Sequence, residues 1–202
     1  MKAVIFDIDG TLLESMAIDT ELYFAAIRDV LGAVEVRPDL HDYEHVTDAG
    51  ILQQLLEDNG LASRQDLAAD FQRTFLQSLR THVADSRAFP TIDGAIDFFN
   101  AMRRAADTRV AIATGCWRES ALLKLDSAGF DIDGVPLASC DDSPSRVDIM
   151  RTALGRLEGT FDSITYFGDA EWDRRACRTL AWNFVAVGPG LGGITSYADL
   201  NL

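Results

Sequence analysis

The sequence lacks any run of apolar residues long enough to cross a bilayer, which takes about 20 of them. It also lacks the apolar stretch of an export signal, because acidic residues occupy the N-terminal segment instead. The three cysteines, Cys116, Cys140 and Cys177, form no CxxC pair, which argues against both a zinc site and a disulfide framework. These absences predict a cytoplasmic protein with reduced thiols.

Positive charge is also scarce, since 18 Lys and Arg stand against 32 Asp and Glu, for a formal net charge of −14. The electric field of so negative a chain repels nucleic acid backbones and anionic membranes, so we expect neither as a partner. It favours a bound divalent cation. An anionic substrate would need local positive charge from a metal, a helix N-terminus or a few basic side chains. The oligomeric state cannot be read from the sequence.

The chain does contain three strand-length apolar runs, and each ends in a small polar cluster. They are KAVIF, RVAIA and SITYF, at residues 2–6, 109–113 and 163–167. Each run is rich in β-branched or aromatic residues, and the second and third lead directly into helical patterns. Strands alternating with helices predict an α/β fold, with a Rossmann-like parallel sheet core flanked by helices. With 48% hydrophobic residues, the 202-residue chain can bury a substantial core.

The segment between the first and second strands has a different character. It shows helical patterns at residues 17–32, 49–59 and 63–83 and no convincing strand, and it is too long for a simple crossover. We therefore predict an inserted α-helical cap domain at residues 15–85. The core domain would comprise residues 1–14 and 86–202, and the cap could act as a lid over the active edge of the sheet.

Two carboxylates, Asp7 and Asp9, follow the first strand. Ligands of parallel sheets sit beyond the carboxyl ends of the strands, so both acids should face one pocket, where each raises the cost of ionising the other. The pair calls for a cation such as Mg²⁺, which takes oxygen ligands. Asp7 could attack phosphorus or carbon as a nucleophile, and Asp9 could act as general acid and base. The alternative is a strand-end Asp-Gly turn, in which Asp7 only caps the turn.

The other two clusters supply further candidates. Asp169 and Asp173, four residues apart, could join Asp7 in binding the metal. The alternative is that Asp169 caps the next helix and Asp173 lies in its solvated first turn. Thr114 and Gly115 offer a hydroxyl and backbone N–H groups for a phosphoryl oxygen, and the alternative for Thr114 is an ordinary N-cap.

A phosphoryl site also needs a side-chain cation to stabilise the charge on the equatorial oxygens. Arg146, at the start of a helix, is the best placed candidate. Arg151 lies one turn further on and Lys124 lies in mid-helix, so both are less well placed. The alternative is that Arg146 is a surface residue.

With these clusters in place, the chain resembles the haloacid dehalogenase superfamily, whose first, second and fourth motifs are similar to DIDGT, AIATG and GDAEWD. The resemblance implies that Asp7 is the nucleophile and a metal ligand. It implies that Asp9 is the acid/base and lends its backbone carbonyl to Mg²⁺. Thr114 would bind phosphate, Asp169 would ligate the metal directly, and Asp173 would ligate it or hold its water.

The third motif departs from the family pattern, because Arg146 stands where the family usually has a lysine. Cys116 also stands where similar proteins often carry asparagine. The chain resembles phosphoglycolate phosphatase and β-phosphoglucomutase-like members. The resemblance predicts a Mg²⁺-dependent phosphatase that hydrolyses a small phosphorylated metabolite through a phospho-aspartate. The alternatives are a phosphomutase, a 2-haloacid dehalogenase and a catalytically weak binding protein.

Overall fold

A five-stranded, fully parallel sheet forms the centre of the protein in a computed structural model that describes residues 1–85 and 88–200. The strands are β1 (Lys2–Phe6), β2 (Thr108–Ala113), β3 (Leu137–Ala138), β4 (Ser163–Gly168) and β5 (Asn183–Ala186). Their order is β3-β2-β1-β4-β5, so β1 lies between the two other predicted strands. The predicted α/β fold with a parallel sheet is therefore confirmed. The edge strands β3 and β5 were not predicted, because each is too short to show a periodic pattern.

Seven α-helices accompany the sheet within the described residues. They are α1 (Met16–Ala26), α2 (Asp48–Asp58), α3 (Gln65–Ala84), α4 (Ala95–Arg104), α5 (Arg118–Ser127), α6 (Arg146–Gly155) and α7 (Glu171–Leu180). The first predicted helix, at residues 17–32, is divided. After α1 the chain continues as a π-helical turn over Ile27–Leu31, which ends at Gly32 with a φ of 71°. None of the helices in this part of the chain is both long and apolar enough to cross a membrane.

Helices α1, α2 and α3 occupy the predicted insertion, and the described part of it contains no regular strand. Tyr23 of α1 packs against Phe71 and Phe75 of α3, at ring-centroid distances of 4.8 and 5.5 Å. Its ring also stacks on Trp117 at 6.2 Å, which ties these helices to the segment that follows β2. The division into a core and a cap domain stays a prediction. Residues 86–87, where the boundary was placed, and residues 201–202 lie outside the described residues.

An aromatic cluster fills the space beneath the strand ends. The fully buried ring of Phe6 stacks on Phe167 at 4.9 Å and contacts Phe99 at 5.5 Å. Phe6 immediately precedes Asp7, and Phe167 precedes the Gly168-Asp169 pair. Packing in this cluster therefore fixes the positions of the two strand ends from which the acids project.

Phe6→Ala should destabilise the fold by about 3–5 kcal/mol, because a large ring is removed from a packed interior. Urea unfolding followed by circular dichroism measures this change. Phe24→Ala is the matched control, since Phe24 is 41% exposed and its truncation should cost roughly 0.5 kcal/mol or less. Equal losses in the two variants would contradict this account of the core.

Candidate active site

The parallel register brings two of the predicted acids, Asp7 and Asp169, together at the carboxyl edge of the sheet. Phe6 is the register partner of both Ile112 on β2 and Phe167 on β4. The backbone N–H of Asp7 donates to the carbonyl of Phe167 at 3.0 Å. The strand tips, and the residues that follow them, therefore meet within a few ångströms.

Three of the predicted metal ligands form one group. Carboxylate oxygens of Asp7, Asp169 and Asp173 all lie within 4.8 Å of one another. Asp7 and Asp169 follow β1 and β4, and Asp173 reaches the group from the first turn of α7, where it is fully buried. The spacing of four residues between Asp169 and Asp173 thus spans the strand end and the helix start.

Glycines make room for these carboxylates. Gly10 has a φ of +72°, and a Cβ at this position would overlap the Asp169 carboxylate. A Cβ at Gly168 would lie 2.7 Å from Oδ2 of Asp173. The backbone can approach the acids this closely only without side chains at the two positions.

Arg146 supplies the cation at this group. Its Nη1 lies 3.3 Å from Oδ1 of Asp7, and its Nε lies 3.3 Å from Oδ1 of Asp173. Its side chain is only 11% exposed, so the alternative of a surface residue does not hold. Gly115 again provides the space, because a Cβ there would lie 2.8 Å from Nη2 of Arg146.

The electrostatics of the group favour additional positive charge. Burial raises the pKa of Asp7, although Arg146 opposes the change. Burial, together with the neighbouring Asp7, raises the pKa of Asp169 to about 7. Burial raises the pKa of Asp173 well above its ordinary value, and Arg146 offsets only part of this. One guanidinium therefore does not balance three carboxylates, of which two are buried and one is half-buried.

The residues present fit a hard divalent cation. All three groups offer carboxylate oxygens, which are the ligands that Mg²⁺ takes. Oδ1 of Asp173 is buried and accepts no hydrogen bond of good geometry, although Nε of Arg146 is 3.3 Å away as an ion-pair partner. A buried carboxylate oxygen without a hydrogen bond is costly unless an ion or water satisfies it.

Asp9 is held differently from Asp7. Its carboxylate accepts hydrogen bonds from Lys124 Nζ, at 2.8 Å to each oxygen, from the Cys116 thiol at 2.6 Å, and from the Ser15 hydroxyl. Burial raises the pKa of Asp9, but Lys124 and these donors outweigh burial, so that the pKa lies below its ordinary value. The group of three acids does not include this carboxylate. The predicted metal contact of Asp9, through its backbone carbonyl, stays a prediction.

Lys124, which from the sequence alone was less well placed than Arg146, is fully buried and contacts Asp9. It also pairs with Asp19 of α1 at 2.7 Å, so a single ammonium joins the DIDGT segment to the inserted helices. One signal in the sequence pointed to its burial. Lys124 shares a helix face with Ala121 and Leu125, which are both buried, and a lysine on such a face needs a charged partner.

Thr114 and Gly115 follow β2, as predicted, and lie beside Asp7. The Thr114 hydroxyl accepts the backbone N–H of Cys116 at 3.3 Å, and its proximity to Asp7 counteracts the rise in the pKa of that carboxyl. Because α5 begins at Arg118, after the N-cap Trp117, Thr114 is not the N-cap of that helix. The carbonyl of Gly115 accepts the backbone N–H of Asp48 at 2.9 Å, which docks the start of α2 here.

A cavity of about 240 Å³ opens above the strand ends. Six of the seven predicted site residues line it: Asp7, Asp9, Thr114, Gly115, Arg146 and Asp169. The seventh, Asp173, contacts Arg146 from beneath the cavity floor. Residues of the inserted helices form the opposite wall. The structure thus brings together residues more than 160 positions apart.

The chain belongs to the haloacid dehalogenase-like hydrolase family, whose model matches residues 1–180. It is therefore a hydrolase by family. Among curated proteins, none matches the chain significantly.

Solved structures with a similar fold include a hydrolase from Pseudomonas syringae, with a TM-score of 0.74 and 21% identity over 94% of this chain and 86% of that one. CbbY from Rhodobacter sphaeroides in complex with phosphate has a TM-score of 0.69 and 18% identity, over 98% of this chain and 89% of that one. The β-phosphoglucomutase of Clostridium difficile has a TM-score of 0.69 and 14% identity, over 92% and 84%. At these identities the likeness establishes the fold.

Asp169→Asn should make the metal-free protein more stable at pH 8 and abolish its stabilisation by Mg²⁺. The pKa of Asp169 is about 7 in the folded chain, against 3.8 as its ordinary value. Between these values the folded state binds more protons, so the stability of the wild type falls as pH rises from about 4 to about 7. Above pH 7 the cost of ionisation is fully present, and asparagine removes it.

Differential scanning calorimetry in chelator at pH 6 and pH 8, and then in Mg²⁺, tests this expectation. A Mg²⁺ concentration about 100-fold above Kd should stabilise the wild type by about 2.7 kcal/mol, or roughly 5–10 °C at this chain length. Equal Mg²⁺ shifts in the wild type and in Asp169→Asn would exclude Asp169 as a ligand.

Proposed function

We propose that the protein is a Mg²⁺-dependent phosphatase that hydrolyses a small phosphomonoester through a phospho-aspartate at Asp7. One observation carries this proposal. Asp7 projects from a central strand end into the cavity, with a guanidinium 3.3 Å from its carboxylate and two more carboxylates within 4.8 Å. A nucleophile, a side-chain cation and a set of oxygen ligands are the parts that phosphoryl transfer to a carboxylate requires.

Asp7, Asp169 and Asp173 would hold Mg²⁺, with the backbone carbonyl of Asp9 as a further ligand. When bound, the metal would neutralise the charge on the phosphoryl oxygens and so reduce their repulsion of the Asp7 carboxylate. CbbY of Rhodobacter sphaeroides, which has a similar fold, has also been solved in complex with xylulose-(1,5)bisphosphate, and this is in keeping with a phosphorylated substrate here.

In the first step, an oxygen of Asp7 attacks phosphorus. The Asp7–phosphorus bond forms as the bond from phosphorus to the alcohol oxygen breaks, and the departing alkoxide takes a proton from Asp9. Arg146, the Thr114 hydroxyl and the backbone N–H groups near Gly115 would stabilise the charge on the phosphoryl oxygens. In the second step Asp9 removes a proton from water, and the water oxygen attacks phosphorus. Phosphate leaves and the Asp7 carboxylate is restored.

Lys124 would set the charge state of Asp9 for these steps. In the arrangement seen here, two 2.8 Å contacts stabilise the ionised carboxylate, which is the form that activates water. To protonate the leaving alkoxide, Asp9 must first gain a proton and release Lys124. Asp19 then remains as the partner of the Lys124 ammonium. The residues that hold Lys124 thus come from both the core and the inserted helices.

We further propose that residues 15–85 form a cap over the active edge and that the enzyme acts in the cytoplasm. The cap assignment is supported by the wall that these residues contribute to the cavity. A wall over the nucleophile would exclude bulk water during the first step and select the alcohol part of the substrate.

Asp7→Asn should lower kcat by about 10³-fold or more, because the amide cannot attack phosphorus. Phosphate release from a panel of phosphomonoesters in Mg²⁺ measures the effect, and identification of the second product as the free alcohol establishes hydrolysis. The variant should keep the circular dichroism spectrum of the wild type. Unimpaired turnover in Asp7→Asn would refute the covalent route.

Arg146→Ala should lower kcat by about 10²–10³-fold, and Arg146→Lys should recover part of the loss because it keeps the positive charge. Single-turnover kinetics at saturating substrate separates this effect from weaker binding. Normal activity in Arg146→Ala would assign the cationic role to another residue.

Lys124→Met should move the pH dependence of the reaction upward. Without the ammonium, burial would raise the pKa of Asp9 above its ordinary value. The acidic limb of kcat should shift to higher pH, because the activation of water requires Asp9 to be ionised. The alkaline limb of kcat/KM should shift the same way, because transfer of a proton to the leaving alkoxide requires Asp9 to be protonated. Lys124→Arg is the control that keeps the charge. An unshifted profile in a folded Lys124→Met protein would exclude this role.

A further inference from the structure

The cavity has two chemically different halves. The polar half lies at the strand ends and contains the residues assigned above to the phosphoryl group. The opposite half is mostly apolar. Apart from three exposed side chains considered next, its apolar lining consists of Tyr23, Ile27, Val36, Pro38, Tyr43, Val46, Ile51 and Trp172. All of these except Trp172 belong to residues 15–85.

Exposed apolar side chains converge on this half. Within the described residues, Met16, Phe24 and Leu40 are the exposed large hydrophobic residues, at 37%, 41% and 39%. All three line the cavity. Large apolar side chains left accessible around a concave site mark a surface that binds a ligand.

The apolar half offers no free positive charge. Of the described residues that line the cavity, only Arg37 and Arg146 are basic. Arg37 is engaged by Asp58, with Nε and Nη2 donating to its two carboxylate oxygens at 2.7 and 2.9 Å, and its guanidinium lies over the Tyr43 ring. Arg146 belongs to the phosphoryl half.

Two acidic side chains lie on the same side. Asp19 and Asp48 line the cavity from α1 and α2. Asp19 is paired with Lys124, and Oδ2 of Asp48 accepts the backbone N–H of Trp117 at 3.1 Å. An anionic group on the alcohol part of a substrate would meet two acidic side chains and, among the described lining residues, no unpaired cation, which disfavours such a ligand.

We propose that the substrate is a phosphomonoester whose alcohol part is uncharged and apolar, with about the bulk of one six-membered ring. This inference rests on the proposed phosphatase function and narrows its substrate class. The volume is consistent with it, because an apolar cavity of about 150 Å³ in another protein holds benzene. A cavity of about 240 Å³ holds such a ring and a phosphoryl group. Esters that carry a carboxylate or a second phosphate are excluded from the preferred class.

Four esters of primary alcohols test the inference: benzyl phosphate, 4-carboxybenzyl phosphate, 2-phosphoglycolate and glucose 6-phosphate. Because each leaving group is a primary alkoxide, differences in kcat/KM report mainly on recognition. Benzyl phosphate should exceed each of the other three by about 10–100-fold, because its ring gains apolar burial over 2-phosphoglycolate and glucose 6-phosphate, and the carboxylate of 4-carboxybenzyl phosphate is disfavoured.

Leu40→Lys tests the same idea from the protein side. The new ammonium should lower kcat/KM for benzyl phosphate and raise it for 4-carboxybenzyl phosphate, so that the ratio of the two falls by about 10-fold or more. Leu40→Met is the matched control and should leave the ratio close to that of the wild type. Leu40 lines the cavity, is 39% exposed and is not one of the residues placed in the chemistry.

The outcomes separate this inference from the proposed function. Preferred turnover of 2-phosphoglycolate, 4-carboxybenzyl phosphate or glucose 6-phosphate would overturn the inference and leave the phosphatase activity established. An unchanged ratio in Leu40→Lys would also overturn it. Mg²⁺-dependent turnover of none of the four esters would overturn the proposed function and the inference together.

Discussion

The constraint on which the site depends is the repulsion among carboxylates crowded at the tips of β1 and β4. Asp7, Asp169 and Asp173 lie within 4.8 Å of one another, and burial raises the pKa of each. Such a cluster is unfavourable by itself. Arg146 reaches two of the three acids and relieves part of the cost. A divalent cation would relieve the rest, so the electrostatic cost of the site without metal would be the source of an affinity for one.

Two basic side chains form ion pairs with different acids of the site. Arg146 enters from the start of α6 and touches Asp7 and Asp173, while Lys124 enters from α5 and touches Asp9 and Asp19. The two neighbouring aspartates of the DIDGT segment thus meet different environments although only one residue separates them. The pKa of Asp7 is raised and that of Asp9 is lowered. A difference of this kind is what assigns two carboxylates to separate roles in one reaction.

Most of the fold and of the candidate site could be predicted from the sequence, because both depend on local patterns in a fixed order. Apolar runs of strand length followed by acidic or Thr-Gly clusters predict parallel strands whose ends converge, and the structure places Asp7, Asp169 and Thr114 accordingly. Strands β3 and β5 escaped prediction, since two and four residues carry no periodicity of their own and are held by pairing with β2 and β4. The ion pairs of Lys124 were not predicted either, because its partners Asp9 and Asp19 come from segments over 100 residues away. The direction of the Asp9 side chain is likewise set by tertiary contacts, which no local pattern reveals.

Electron paramagnetic resonance of Mn²⁺ tests the central claim most directly, because this ion prefers the same oxygen ligands as Mg²⁺ and its free form is read from the signal. Titration of the protein at pH 8 should reveal a single saturable Mn²⁺ site per chain, from which Mg²⁺ displaces the ion. Asp173→Asn should weaken this site, and a conservative change at a distant acid such as Asp162→Asn should leave it intact. A titration with no saturable site, or a site that is unaffected in Asp173→Asn, would contradict the account.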